Sequence, residues 1–313
     1  MKTAPKRDFI SILDAGKSLQ SLLNNAAKLK KELKQGTGHI KSRPLRNKQL
    51  AMIFEKSSTR TRISAEVAMN HLGGDSLYLN PKDMQLGRGE TIADTGRVLS
   101  RYVDCIFYRS FDNGMMKELA KSASIPVINA LDDVEHPCQA LADLLTIRER
   151  FGKLKGVRLT YVGDGNNVCN SLMLASAMSG MHFVAATPKG YEPPQRISQL
   201  AASVGVETGS RIEIVNDPKA AAGRANVLYT DIWVSMGQEA EKEERERNFI
   251  PYQLNRKLLD LADRNAIVMH CLPAHRGLEI SDDVIDSDQS VIFDQAENRL
   301  HSQKAILLWL IGH

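Results

Sequence analysis

Ser58-Thr59-Arg60-Thr61-Arg62 follows the apolar run Leu50-Ala51-Met52-Ile53-Phe54 and leads into a helix-like segment, Ile63 to Leu72. That order places small hydroxyls, backbone N–H groups and guanidinium groups at the mouth of a strand-to-helix turn. There the unpaired amides and the positive end of the helix dipole favour an anion, most naturally a phosphate. An exposed polar turn with incidental arginines is the bland reading. His136-Pro137-Cys138-Gln139 opens another helix, with proline suited to its first turn. Its imidazole and amide together match a ligand with both a carbonyl oxygen and an amide nitrogen, although a lone histidine is more often a packing or capping residue.

Three further clusters carry chemistry. Gly163-Asp164-Gly165-Asn166-Asn167 follows a strand-like run and approximates a dinucleotide fingerprint, but Val168 stands where the third glycine belongs. The asparagines remain as amides for a polar ligand. Asp231 precedes the glycine-containing loop Ser235-Met236-Gly237, where a carboxylate could hold a substrate ammonium. The charged run Glu239 to Arg247 beyond it reads as a solvated, salt-bridged helix or, more sharply, as a lid. His270-Cys271-Leu272-Pro273-Ala274-His275 offers two imidazoles and a thiol, yet no CxxC companion completes a structural zinc set, so no metal is expected.

These clusters need elements to position them. A helix is expected over Lys17 to Gln35, with leucines on one face and Gly36 to end it. Strands are expected at Leu50–Phe54, Ser76–Leu79, Asp104–Tyr108, Pro126–Asn129, Arg158–Val162, Met181–Ala186, Ile212–Val215, Asn226–Thr230, Ala266–His270 and Val291–Phe293. Helical stretches alternate with them, and several strands are almost continuously apolar, as in parallel sheets buried on both faces. The expected fold is therefore α/β: two doubly wound parallel-sheet domains with an interdomain active-site cleft. Helix Ala140 to Phe151 joins them, and an apolar helix spans Ser302 to Ile311. Each polar cluster falls just past the C-terminal end of a strand, the edge at which open α/β sheets bind ligands.

Composition narrows the function class. The chain has 313 residues, 42% hydrophobic and 25% charged, with a formal charge of +4, as expected of an ordinary globular protein. Aromatics are 5% and the basic residues are dispersed, so nucleic acid is not an expected partner. No run reads as a signal peptide or membrane span. Four widely spaced cysteines suit reduced thiols in a cytoplasm. A nucleotide-dependent dehydrogenase would need the missing glycine. A two-lobed amino-acid binding protein would not need the phosphate turn.

Taken together, Ser58–Arg62, Tyr108-Arg109-Ser110 and His136–Gln139 resemble the aspartate/ornithine carbamoyltransferase family. Asp231 with Ser235-Met236-Gly237, and His270 to Gly277, resemble its ornithine-specific branch; Asp83 to Glu90 and Glu297-Asn298-Arg299 also fit. Cys271 stands where the aspartate branch typically has proline. The resemblance covers nearly the whole chain. It implies transfer of a carbamoyl group from carbamoyl phosphate to the δ-amine of L-ornithine, without cofactor or covalent intermediate, in a cytoplasmic homotrimer of arginine metabolism. It also implies a carbamoyl phosphate domain at 1–147, with 298–313 packing back on it, and an ornithine domain at 148–297. Carbamoyl phosphate would meet Ser58, Thr59, Arg60, Thr61, Arg109, His136, Pro137, Cys138, Gln139, Cys271, Leu272 and Arg299, with Gln85 reaching a neighbouring subunit. Ornithine would meet Asn167, Asp231, Ser235 and Met236. Arg60, Arg109, His136, Asp231 and Cys271 would form the catalytic set.

Overall fold

The computed structural model describes residues 6–86, 88–235 and 239–312. Met236 and Gly237 of the expected ornithine loop lie outside the described residues. The chain forms two compact units, one of residues 1–145 with 297–313 and one of residues 146–296. Each is built on a parallel sheet, as the βαβα rhythm predicts.

The first unit contains β1 (Gln49–Phe54), β2 (Asp75–Leu79), β3 (Cys105–Arg109) and β4 (Val127–Leu131) in the order β2-β1-β3-β4. Chain direction across this sheet reverses between β1 and β3, so their C-terminal ends open a crevice between diverging connections. Ser58–Arg62 follows β1, and Arg109 ends β3. Ala51, Ile53, Ile106 and Tyr108 pack with Met116 and Leu119 of the helix Asn113–Ser122. That packing fixes the strand ends.

The second unit contains β5 (Arg158–Val162), β6 (His182–Ala186), β7 (Ile212–Val215), β8 (Val227–Thr230) and β9 (Ile267–His270), ordered β7-β6-β5-β8-β9. Its reversal falls between β5 and β8, where Gly163–Asn167 and Asp231 emerge. Val162, Val184, Leu228 and Val268 pack with Trp233, Phe249 and Tyr252. Among the described residues no helix is long and apolar enough to cross a membrane.

One expected strand is not a strand. Val291–Phe293 opens the helix Ile292–Ile311. The edge next to β9 is touched only briefly: the Val268 amide donates to the Gln289 carbonyl at 2.8 Å, and the Val291 amide donates back to Val268 at 3.0 Å. Helix begins at the next residue. A three-residue apolar run has no period, so it cannot distinguish a strand from the first turn of a helix. The expected helix over Lys17 to Gln35 is a 3-10 turn, Ile12–Ser18, followed by an α-helix, Leu19–Gln35. The charged run becomes a short 3-10 turn and the helix Lys242–Phe249. Most of that helix is solvated, but Arg245 and Phe249 are buried.

Candidate active site

In the first unit the phosphate-type turn is held from within and from far along the chain. The helix Arg60–His71 begins three residues ahead of the expected Ile63, taking in Arg60, Thr61 and Arg62, and Ser58 Oγ accepts from the Thr61 amide at 3.3 Å. Arg60 is half-buried at its first position; its carbonyl accepts from Ser64 Oγ at 2.6 Å. Thr59 immediately precedes the helix and is exposed. Arg62 turns away, its guanidinium 3.6 Å from the centroid of the Tyr78 ring, which removes it as a ligand of the turn.

Arg299, buried in the C-terminal helix, donates through Nη2 to Thr61 Oγ1 at 2.7 Å and through Nη1 to Gln139 Oε1. One planar guanidinium thus ties the Ser58–Arg62 turn to the His136–Gln139 segment, the bidentate geometry that favours arginine over lysine. Gln139 also donates to Asp143 Oδ1 at 2.8 Å. Pro137 is the first residue of the helix Pro137–Phe151, as expected. Cys138 is buried, and its thiol points to the Asn129 carbonyl at 3.4 Å. That contact makes its side chain a packing group; only its backbone is left to a ligand.

His136 is buried, and burial together with the positive charges of Arg299 and Arg109 holds its pKa well below the usual histidine range. The ring is therefore neutral near pH 7, one nitrogen donating and the other accepting. Arg109 is buried at the end of β3. Gln85 stands apart: it is exposed, in the stretch after the 3-10 turn Pro81–Asp83.

In the second unit, Asp231 is buried just past β8. Its Oδ2 accepts from Asn166 Nδ2 at 2.9 Å, and its Oδ1 accepts from the Cys271 thiol at 2.9 Å. Asn166 Oδ1 caps the helix Asn167–Ser179 by accepting from the Val168 and Cys169 amides, at 3.0 and 3.1 Å, and also accepts from the Tyr161 hydroxyl at 3.3 Å. Sequence reasoning chose Asn167 as the ligand and missed Asn166 as the brace of Asp231. The signal was present, because asparagine is a preferred N-cap. Gly165 is required there: a Cβ would lie 2.3 Å from the Pro193 nitrogen. Ser235 is half-buried, at the edge of the described loop.

Arg245 was also missed. Its Nη1 donates to Asp164 Oδ2 at 3.0 Å and to the Trp233 carbonyl at 3.2 Å, while Nε donates to Glu241 Oε2 at 2.8 Å. Burial raises Asp164 to about 6 even against the opposing pull of Arg245. Leu272 adopts a left-handed φ of 60° and donates its amide to His270 Nδ1 at 2.8 Å. His270 Nε2 lies 3.2 Å from Glu279 Oε1. Asp231, His270 and Cys271 offer ligand atoms within 4.8 Å of one another, but both ring nitrogens of His270 are committed to protein partners.

Residues 7–149 match the family model described as the carbamoyl-P binding domain of aspartate/ornithine carbamoyltransferase, and residues 155–310 match its Asp/Orn binding domain. The chain is 53% identical over 308 residues to a catabolic ornithine carbamoyltransferase of Thermoplasma volcanium, covering 98% of this chain and 99% of the relative. It is 53% identical over 307 residues to an anabolic ornithine carbamoyltransferase of Pyrococcus furiosus, covering 98% and 96%. The solved ornithine carbamoyltransferase structure from Pyrococcus furiosus superposes with a TM-score of 0.95 at 52% identity, covering 100% of this chain and 99% of the other. With matches spanning both units at such identity, and the motifs standing at both sheet switch points, the chain belongs to the aspartate/ornithine carbamoyltransferase family.

Proposed function

We infer that this chain transfers the carbamoyl group of carbamoyl phosphate to the δ-amine of L-ornithine, giving L-citrulline and phosphate. The observation that carries the residue assignment is the Arg299 fork, which holds Thr61 and Gln139 together in one buried cluster of the first unit. In this reading the turn Ser58, Thr59, Arg60 and Thr61 binds the phosphate through amides, hydroxyls and the Arg60 guanidinium. Arg109, neutral His136 and Thr61 donate to the carbamoyl oxygen. Gln139, with the carbonyls of Cys271 and Leu272, accepts from the carbamoyl NH2, and Pro137 and Cys138 contribute backbone.

Asn167, Asp231, Ser235 and Met236 bind the α-amino and α-carboxylate groups of ornithine. The uncharged δ-amine attacks the carbamoyl carbon; the C–N bond forms, the C–O bond to phosphate breaks, and the amine's proton passes to the departing phosphate. Negative charge grows on the carbamoyl oxygen during attack, and fixed donors stabilise it more than they stabilise the ground state. Phosphate is a good leaving group, so positioning and electrostatics supply the acceleration without a covalent intermediate.

The same reading makes the protein a cytoplasmic homotrimer of arginine metabolism, with the exposed Gln85 reaching a neighbouring copy. Light scattering should then give three times the chain mass of 34.7 kDa. The activity is tested by assaying carbamoyl transfer to ornithine, putrescine, N-acylated ornithine and aspartate in parallel. Citrulline should dominate. Faster carbamoylation of any other amine would overturn the acceptor assignment.

A further inference from the structure

The geometry points to Glu55 as the positioning residue that mounts Arg109 for catalysis. The inference rests on the reading that Arg109 donates to the carbamoyl oxygen. β4 carries an extra residue opposite the Tyr108–Arg109 step: Tyr108 pairs with Asn129, whereas Arg109 pairs with Leu131. The regular ladder is therefore disturbed at the position where Arg109 must be aimed. Such irregularities re-aim side chains near functional sites, and they need local support.

Glu55 supplies that support around Arg109 on every side. Its amide donates to the Arg109 carbonyl at 3.0 Å. Its carboxylate accepts from the Tyr108 hydroxyl at 2.6 Å, the Ser110 hydroxyl at 3.1 Å and the Phe111 amide at 2.9 Å. The residue before Arg109, the two after it, and Arg109's own carbonyl are thus all bonded to one residue. Glu55 follows β1 and lies three positions ahead of Ser58, so the same residue fixes the end of β3 against the strand that launches the phosphate turn. A carboxylate suits the task because it only accepts, and all three groups facing it can donate. Lys56 keeps the next side chain in register, its ammonium 4.5 Å from the Phe111 ring centroid.

The test is a kinetic cycle on the full chain, using Glu55→Ala, Glu55→Gln, Arg109→Gln and the double variant Glu55→Ala/Arg109→Gln. A misplacement near 1 Å costs about 100-fold, so Glu55→Ala should lose about that much in kcat with the KM for ornithine unchanged. Glu55→Gln should recover most of it. Its amide oxygen, in the place of Oε2, can still accept from the Ser110 hydroxyl and the Phe111 amide, and the Tyr108 hydroxyl, which faces the other position, can rotate to accept from its NH2. In the Arg109→Gln background, Glu55→Ala should add little further loss, because residues acting through one group are not additive.

Multiplicative losses in the double variant, or a rise in ornithine KM equal to the loss in kcat, would overturn the inference and leave the Arg109 assignment standing. Wild-type kcat and KM for carbamoyl phosphate in Arg109→Gln would overturn the assignment itself. Should Glu55→Ala not fold, Tyr108→Phe, which removes one donor and keeps the ring, carries the same cycle with a smaller expected loss.

Discussion

Lys304 allows a sharp test of how charge is stored in the core of the first unit. It lies in the C-terminal helix with 0% of its surface exposed, and its ammonium is 3.1 Å from His39 Nε2. His39 Nδ1 is 2.8 Å from Glu32 Oε2, so the imidazole keeps its proton on Nδ1 and lends its other lone pair to Lys304. Among the described residues no carboxylate touches the ammonium directly. Burial lowers Lys304 from 10.5 to about 8, against the weaker pull of Glu32. It also holds His39 and His71 below their ordinary values, and His301 at about 4.

The unfolded chain therefore binds the Lys304 proton more tightly than the folded one. The penalty is full below pH 8 and is relieved as pH rises toward 10.5. At about 1.4 kcal/mol per pK unit the gap is worth roughly 3 kcal/mol at pH 7. Lys304→Met keeps the stem and removes the charge. After loss of the His39 hydrogen bond, worth about 1 kcal/mol, a net gain of about 2 kcal/mol is expected at pH 7. Guanidinium denaturation followed by Trp309 fluorescence, in a Trp233→Phe background, reports on the unit that contains Lys304. Between pH 8 and 10.5 the wild-type chain should regain the roughly 3 kcal/mol, so that the variant's advantage vanishes and gives way to a deficit of about 1 kcal/mol, the lost His39 bond. A variant less stable than wild type at pH 7, or a difference that does not change with pH, would refute the reasoning.

Three other outcomes follow from the same contacts. Arg60→Gly should lose about 10³-fold or more in citrulline production, since a charge-assisted clamp on the departing phosphate is removed; near-normal turnover by a variant with wild-type circular dichroism would sink that role. Asp231→Ala should weaken ornithine use by about 100-fold, corresponding to one charged contact of roughly 3 kcal/mol. Calorimetry should then show carbamoyl phosphate affinity unchanged, and an equal fall would contradict the division of labour. Arg245→Met strands the Asp164 carboxylate in a buried site and should cost about 3 kcal/mol at pH 7.5. Because burial already raises Asp164 to about 6, the carboxyl is neutral well below that pH and the cost should shrink; a loss that is the same at pH 7.5 and pH 4.5 would show that the ion pair is not its source.

The strand-ended clusters were legible because apolar runs and the polar turns after them are local features. β1, β3, β5, β8 and β9 all lie where Val/Ile/Leu-rich runs stop at chemistry-bearing residues. Val291–Phe293 failed for want of a period. Contacts made at long range were invisible to pattern. His39 and Lys304 are 265 residues apart, and Thr61 and Arg299 are 238 apart; neither pair leaves a trace in periodicity. The charged run Glu239 to Arg247 shows the limit most plainly. Spacing reveals the Glu241–Arg245 pair at i,i+4, but only folding brings Asp164 to the same guanidinium. Arg245, with Phe249 in the core, turns a solvated helix into a docked one.

A shared device links the two units and separates their uses. In each, a carboxylate just past a strand at the switch point gathers donors from the neighbouring strand end. Glu55, past β1, takes three donors from the end of β3. Asp231, past β8, takes Asn166 from the end of β5 and Cys271 from the end of β9, one on each oxygen. A carboxylate has about four lone-pair positions. Glu55 has filled most of them with parts of its own scaffold, so its task is to hold. Asp231 has one bond on each oxygen and retains acceptor capacity on both, while its buried setting strengthens attraction to a cation. The two acids thus share a place in the topology and differ in how many donors the protein supplies, and the proposed ammonium contact falls to the less saturated one.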